Sequence, residues 1–220
     1  MKFGLITEGI SEHRIVKHII SKYFKGQEVY INQIQPPISD GKQSITGGWD
    51  KVLDYCQKDE LKDILIENDF LIIQIDTDQS QNSPFNIPHL ENGIARDPKI
   101  LYADVLSKLC SLINNEVFIQ YVDKIHFAIC IHTIECWLLP IYYKDKRKTK
   151  IANCTDTLNQ ILRKKNIKSI NTDDKNSSTS NRTYDEILKN FKGKSDIILT
   201  SKHNIGFSFF TDSLNTISQQ

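Results

Sequence analysis

The segment Asp69 to Ile75, Asp-Phe-Leu-Ile-Ile-Gln-Ile, constrains this chain most. A run this apolar suits a β-strand covered on both faces, the kind found inside a parallel sheet. It ends in Asp76-Thr77-Asp78, so two carboxylates stand where the strand gives way to a loop.

The flanking sequence alternates between strand and helix signals. Lys2 to Thr7 is a short apolar run, punctuated by Glu8-Gly9. From Ser11, which reads as an N-cap, to Lys25, apolar residues from Ile15 to Phe24 recur at helical spacing, and Gly26 stops the helix. Glu28 to Ile34 alternates as a second strand. A loop with Pro36-Pro37 and the Gly-rich segment Ser39 to Gly48 follows. Trp49 to Cys56 is helical in pattern, with a start as early as Thr46, and Asp59 to Asn68 is mixed helix or loop. Beyond the apolar run, Gln79 to Arg96 reads as a long loop, Asp97 to Asn114 as a helix, Lys124 to Ile131 as a fourth strand and Thr133 to Tyr143 as a helix.

This alternation predicts an α/β domain over residues 1–143, with a mostly parallel sheet flanked by helices. Residues 144–220 read as a helical and loop extension packed on the same domain. It comprises the basic run Lys144 to Lys150, a helix over Thr155 to Lys165, a mobile polar loop over Ser169 to Arg182, and helices over Tyr184 to Phe191 and Phe207 to Ile217.

Charge and cysteine content narrow the function. Lys plus Arg is 28 and Asp plus Glu is 27, so a polyanion would need a local basic patch or bound metal ions. Cys56, Cys110, Cys130, Cys136 and Cys154 form no Cys-x-x-Cys pair, and the odd count reads as reduced thiols in a cytoplasmic protein. The apolar start is too short for a secretory leader, and no stretch approaches the ~20 apolar residues of a membrane span, so no membrane partner is expected.

Ligands of open parallel sheets bind beyond the carboxyl ends of the strands. Three acidic features fall there: Glu8 after the first strand, Asp76 and Asp78 after the third, and Glu135 after the fourth. Carboxylates are the oxygen donors that magnesium prefers, and one or two of them with substrate phosphate and water complete its shell. Each acid has an ordinary use when read singly. Asp-x-Asp serves in turns, Glu8 suits a solvated loop, and Glu135 suits the first turn of a helix. Those uses do not predict all of them at strand ends.

At these residues the chain resembles the Toprim (topoisomerase–primase) superfamily. Thr7-Glu8-Gly9-Ile10-Ser11-Glu12 is similar to its Glu-Gly motif and Ile75-Asp76-Thr77-Asp78 to its Asp-x-Asp. The first form resembles the overcoming-lysogenization-defect nucleases and the small RloB-like Toprim proteins. His132 to Leu139 resembles the Glu-x-Trp-Leu-Leu segment of the small proteins, and His203-Asn204-Ile205-Gly206-Phe207 through Leu214 resembles their ending, with Ile205 in place of Pro. The likeness is good over residues 1 to 140 and loose beyond.

The resemblance implies a Rossmann-like Toprim fold and a magnesium- or manganese-dependent nuclease that hydrolyses phosphodiester bonds of DNA or RNA in antiphage defence. It implies Glu8, Asp76 and Asp78 as catalytic and metal-binding residues, with Glu12 and Glu135 either as ligands of a second metal or as supports behind the first ligands. A partner protein, such as an ATPase or another defence-system subunit, fits that setting. The alternative is a non-catalytic Toprim-like subunit that binds nucleic acid, a nucleotide or a partner within a larger complex.

Lys146, Arg147 and Lys148 in the basic run are candidates for nucleic-acid contact, or a solvated surface. Lys175 is a candidate for reaching a scissile phosphate, and the sequence does not choose it over Lys192, Lys194 or Lys202. Trp137 reads as core, Trp49 as packed under a loop, and His13 as a neighbour of Glu8 in sequence.

Overall fold

The computed structural model describes residues 1–39, 42–43 and 47–219. Four strands, β1 (Lys2–Ile6), β2 (Tyr30–Gln35), β3 (Phe70–Asp76) and β4 (Ile125–Cys130), form one sheet. Its order is β2-β1-β3-β4 and every neighbouring pair is parallel. β3 is buried along its whole length, as its apolar run requires.

The helices are α1 (Ile10–Tyr23), α2 (Trp49–Cys56), α3 (Glu60–Glu67), α4 (Pro98–Leu112), α5 (Asn115–Tyr121), α6 (Leu139–Tyr142), α7 (Cys154–Lys164), α8 (Ser178–Leu188), α9 (Lys194–Ser201) and α10 (Ile205–Ile217). They cover the sheet in two layers. Phe3, Leu5, Ile72, Ala128 and Cys130 face a core shared with α1 and α7 to α10, which also holds Trp137. Ile6, Leu71, Ile73, Ile75 and Ile129 face a second core shared with α2 to α4, and α5 packs at its edge. This is period-two alternation read from both sides.

α10 shows how the last segment joins the sheet. Phe207, Phe210, Leu214 and Ile217 recur on one helical face and are buried, each contributing ~1.5–3 kcal/mol of apolar burial. Trp137 lies flat on Phe207 at 4.7 Å between ring centroids. Asn204 caps the helix by accepting from the Phe207 N–H at 3.2 Å. A Cβ on Gly206 would collide with the Ile129 carbonyl oxygen, so only glycine lets the helix start this close to β4.

Several sequence expectations need correction. Gly9, not Ser11, is the N-cap of α1, and the Ser11 hydroxyl instead donates to the Glu12 carboxylate. Residues 79–96 contain a small antiparallel ribbon, Leu90–Glu91 with Ile94–Ala95. Asp59 to Asn68 resolves as α3, while α5 and α9 are additional to the sequence reading. The helix expected over Thr133 to Tyr143 is a 3-10 turn, Ile134–Leu138, followed by the short α6. The polar segment 169–182 is not loop throughout: α8 begins at Ser178, capped by Ser177, and Ile170 and Ser180 are buried. The expected start near Thr46 lies outside the described residues.

The cysteine expectation is overturned at one pair. Cys136 and Cys154 form a disulfide with Cα atoms 5.0 Å apart, while Cys56, Cys110 and Cys130 are free. The fold brings the turn after β4 onto the start of α7, which spacing alone does not reveal. Among the described residues, no helix is long and apolar enough to cross a membrane.

Candidate functional site

The chain runs from β1 outward to β2 on one side and to β3 and β4 on the other, so the order of strand addition reverses between β1 and β3. That is the switch point where parallel sheets open a crevice at their carboxyl ends. Glu8 follows β1 and Asp76 ends β3, on adjacent strands.

A hollow of about 340 Å³ lies there, lined by Glu8, Glu12, Asp76, Asp78, Lys175 and the Gly47-Gly48 turn, among others. Glu12 and Asp76 are buried, while Glu8 and Asp78 are partly exposed at the mouth. A second hollow of about 280 Å³ shares Asp78 and Lys175 and continues past Thr133 to Asp156 and Thr172.

Backbone geometry at the strand ends sets these carboxylates. The Thr7 hydroxyl donates to the carbonyls of Gly9 and Gln35, which holds the turn into α1. The Gly48 N–H donates to the Glu8 carbonyl at 2.7 Å, and a Cβ on Gly47 would collide with that same oxygen. The Gly-Gly pair thus lets one loop cross directly over the Glu8-Gly9 turn. After β3, the Thr77 N–H donates to the carbonyls of Cys130 and His132, which positions Asp78 beside the end of β4.

Gln74, the single polar residue inside the apolar run, bridges the two strands. Its Oε1 accepts from the Glu8 N–H at 3.0 Å, and its Nε2 donates to Asp76 Oδ1 at 2.9 Å. Asp76 Oδ2 accepts from the Ile134 N–H at 3.3 Å. The Asp76 N–H donates to Glu8 Oε2 at 3.1 Å.

Glu135 is fully buried beneath this layer. The Tyr184 hydroxyl donates to its Oε1 at 2.5 Å, and Lys175 Nζ stands 3.0 Å from Oε1 and 3.1 Å from Oε2. Burial pushes Glu135 up, but Lys175 and hydrogen bonds from Tyr184 and Thr133 outweigh it, leaving the carboxyl below its ordinary value. Lys175 shows the mirror effect: burial disfavours its charge, but Glu135, Asp76 and Glu12 hold it well above the ordinary lysine value.

For the other carboxylates Lys175 acts from farther off and does not outweigh burial. Among the described residues, no lysine or arginine ion-pairs with Glu8, Glu12 or Asp76. Burial, Glu12 and Asp78 together push Glu8 up to about 8, against the lowering effect of the Asp76 N–H and Lys175. Burial raises Glu12, and burial with Glu8 and Glu12 raises Asp76 well above the usual carboxylate range. Crowded carboxylates that one shared lysine does not neutralise are a donor set that suits a hard divalent ion. As placed, no three His, Cys, Asp or Glu side chains among the described residues form a ready-made metal-binding group. The fit is therefore to an ion that takes one or two carboxylates and fills its shell with water and phosphate oxygen, as magnesium does.

The remaining sequence candidates are placed elsewhere. Lys146, Arg147 and Lys148 line neither hollow. Arg147 pairs with Asp145 and lies 4.2 Å over the Tyr143 ring. His13 lines a different cavity, along α1. Trp137 is core, and Trp49 stacks on Phe85 at 5.9 Å. Sequence reasoning missed Gln74, Tyr184 and the Gly47-Gly48 turn. Gln74 alone carried a local signal, as a polar residue in a strand buried on both faces.

The chain matches no protein-family model, no curated protein and no solved structure.

Proposed function

We propose that this protein is a divalent-cation-dependent phosphodiesterase acting on nucleic acid, a nuclease of the Toprim kind its motifs resemble. The observation that supports this most is the gathering of Glu8, Glu12, Asp76 and Asp78 with Lys175 around one hollow at the switch point of a parallel sheet. Magnesium or manganese, when bound, supplies the positive charge that lets these carboxylates and a phosphodiester share the hollow.

Each side chain has a role that follows from its surroundings. Asp76, oriented by Gln74 and the Ile134 N–H, and Asp78, at the mouth, hold the ion, with Glu8 and Glu12 beside them. Lys175, kept charged and aimed by Glu135, presents its ammonium to a phosphate oxygen. Glu8, raised to about 8 while no cation is bound, is the carboxylate placed to give or take a proton at its oxygens. The antiphage role rests on the resemblance to small Toprim proteins alone.

Plasmid DNA and RNA incubated with the purified protein test this. Cleavage is expected with magnesium or manganese, abolished by EDTA, and reduced by about 100-fold or more in Asp76→Ala. Cleavage that persists in EDTA, or is unchanged in Asp76→Ala, overturns it. Strand binding without cleavage favours the non-catalytic subunit instead.

A further inference from the structure

The first turn of α1 separates two cavities. Gly9, Ser11 and Glu12 face the carboxylate hollow, whereas His13 and Arg14 open a second cavity of about 370 Å³. Its long wall is one stripe of α1, carrying His13, Arg14, Lys17, His18 and Lys22. Asp185 and Leu188 of α8 and Gln33 of β2 stand opposite.

This wall has donors in excess. Asp185 takes both carboxylate oxygens to Arg14, at 2.8 and 3.1 Å. Among the described residues, Lys17 and Lys22 pair with no carboxylate. Buried polar atoms in native proteins nearly always find a partner, so each orphan calls for an explanation. Two such atoms, His13 Nδ1 and Arg14 Nε, belong to residues of this wall, but both are enclosed by protein rather than open to the cavity. Arg14, Lys17 and Lys22 against the single acid Asp185 leave the cavity with an excess of positive charge and of N–H donors, which favours an anionic ligand.

We propose that this cavity binds the phosphate backbone of a single nucleic-acid strand on its way to the carboxylate hollow. Its direction toward that hollow rests on the phosphodiesterase reading, but the binding does not. The stripe from Ile10 to Lys22 is about 18 Å long at ~1.5 Å per residue. Phosphates of a duplex strand rise ~3.4 Å each along the helix axis and those of an extended single strand lie about twice as far apart, so the stripe spans about two or three phosphates rather than one. The chain as a whole carries a net charge of only +1, so attraction to a polyanion needs a local patch of this kind or a bound metal ion, and EDTA leaves only the patch.

The test is anisotropy of a short labelled single strand with the full chain in EDTA, across a series of salt concentrations. Lys17→Gln with Lys22→Gln is compared with Lys58→Gln and Lys62→Gln, which removes the same charge on the opposite face of the sheet. The first pair is expected to flatten the slope of log K against log salt by about 1.4, at about 0.7 for each lysine–phosphate pair removed. The second pair leaves it unchanged. Equal slopes for both variants overturn the proposal. So does polyglutamate that binds as tightly to the unaltered chain and no longer binds the first pair, which assigns the cavity to an acidic protein segment. A protein that binds with the expected slope but cuts nothing keeps this site and loses the nuclease reading. Cleavage with an unchanged slope does the reverse.

Discussion

Glu135 keeps its charge in the interior because donors surround it, and that arrangement carries Lys175 into the site. Tyr184→Phe removes the hydroxyl donor at 2.5 Å. It is expected to cost ~1–3 kcal/mol, read as a lower denaturant midpoint. Glu8 behaves in the opposite sense. Its carboxyl is raised to about 8, so without a cation the folded state prefers it protonated. Its contribution is full below its unfolded value and is lost as pH rises through about 8. Protons and a divalent ion compete for these oxygens, so magnesium affinity should rise from about pH 6 to about pH 8 and level off above. Calorimetric titration across that range checks it, and a flat profile contradicts it. At this scale the sequence showed the acids, because glycine and strand ends punctuate them. It did not show Tyr184, which reaches Glu135 across 49 residues with no local signature.

Among the elements, those with an apolar stripe were legible and those without were not. α1 and α4 stand out by periodicity, and β3 by its nearly unbroken apolar run. α8 does not, because its first turns read Ser-Thr-Ser-Asn-Arg-Thr and the buried positions there are Ser180 and Thr183, which hydropathy cannot see. α9 is short, buries only Ile197 and Ser201, and exposes Leu199. The contact of α10 with β4 makes two predictions. Gly206→Ala should destabilise by ~1–3 kcal/mol, because a methyl there meets the Ile129 carbonyl and forces the helix outward. His126 on β4 accepts from or donates to the Ser213 hydroxyl at 3.0 Å, and burial pushes its pKa down to about 4. The folded state therefore prefers neutral His126. Its stabilisation is present above about 6.5 and is lost as pH falls toward about 4, by about 2 kcal/mol after allowing for partial exposure. The pH dependence of unfolding should flatten over that range in His126→Asn.

For the whole molecule, strand–helix alternation was enough to foresee a parallel sheet, and with it the shared edge on which Glu8, Asp76 and Asp78 meet. The strand order that makes the β1–β3 crevice is a tertiary fact, as is the Cys136–Cys154 bridge. That bridge joins residues 18 apart in sequence and should contribute about 3 kcal/mol by restricting the unfolded chain. Thiol titration of the protein unfolded without reductant should find the three free cysteines, and reductant should lower the denaturant midpoint. The most direct measurement is anomalous diffraction from crystals soaked in manganese. A peak is expected at about 2.0–2.6 Å from carboxylate oxygens of Asp76 or Asp78, beside Glu8. No peak at a manganese concentration that supports cleavage, or a peak remote from these three residues, would contradict the carboxylate hollow as the metal site.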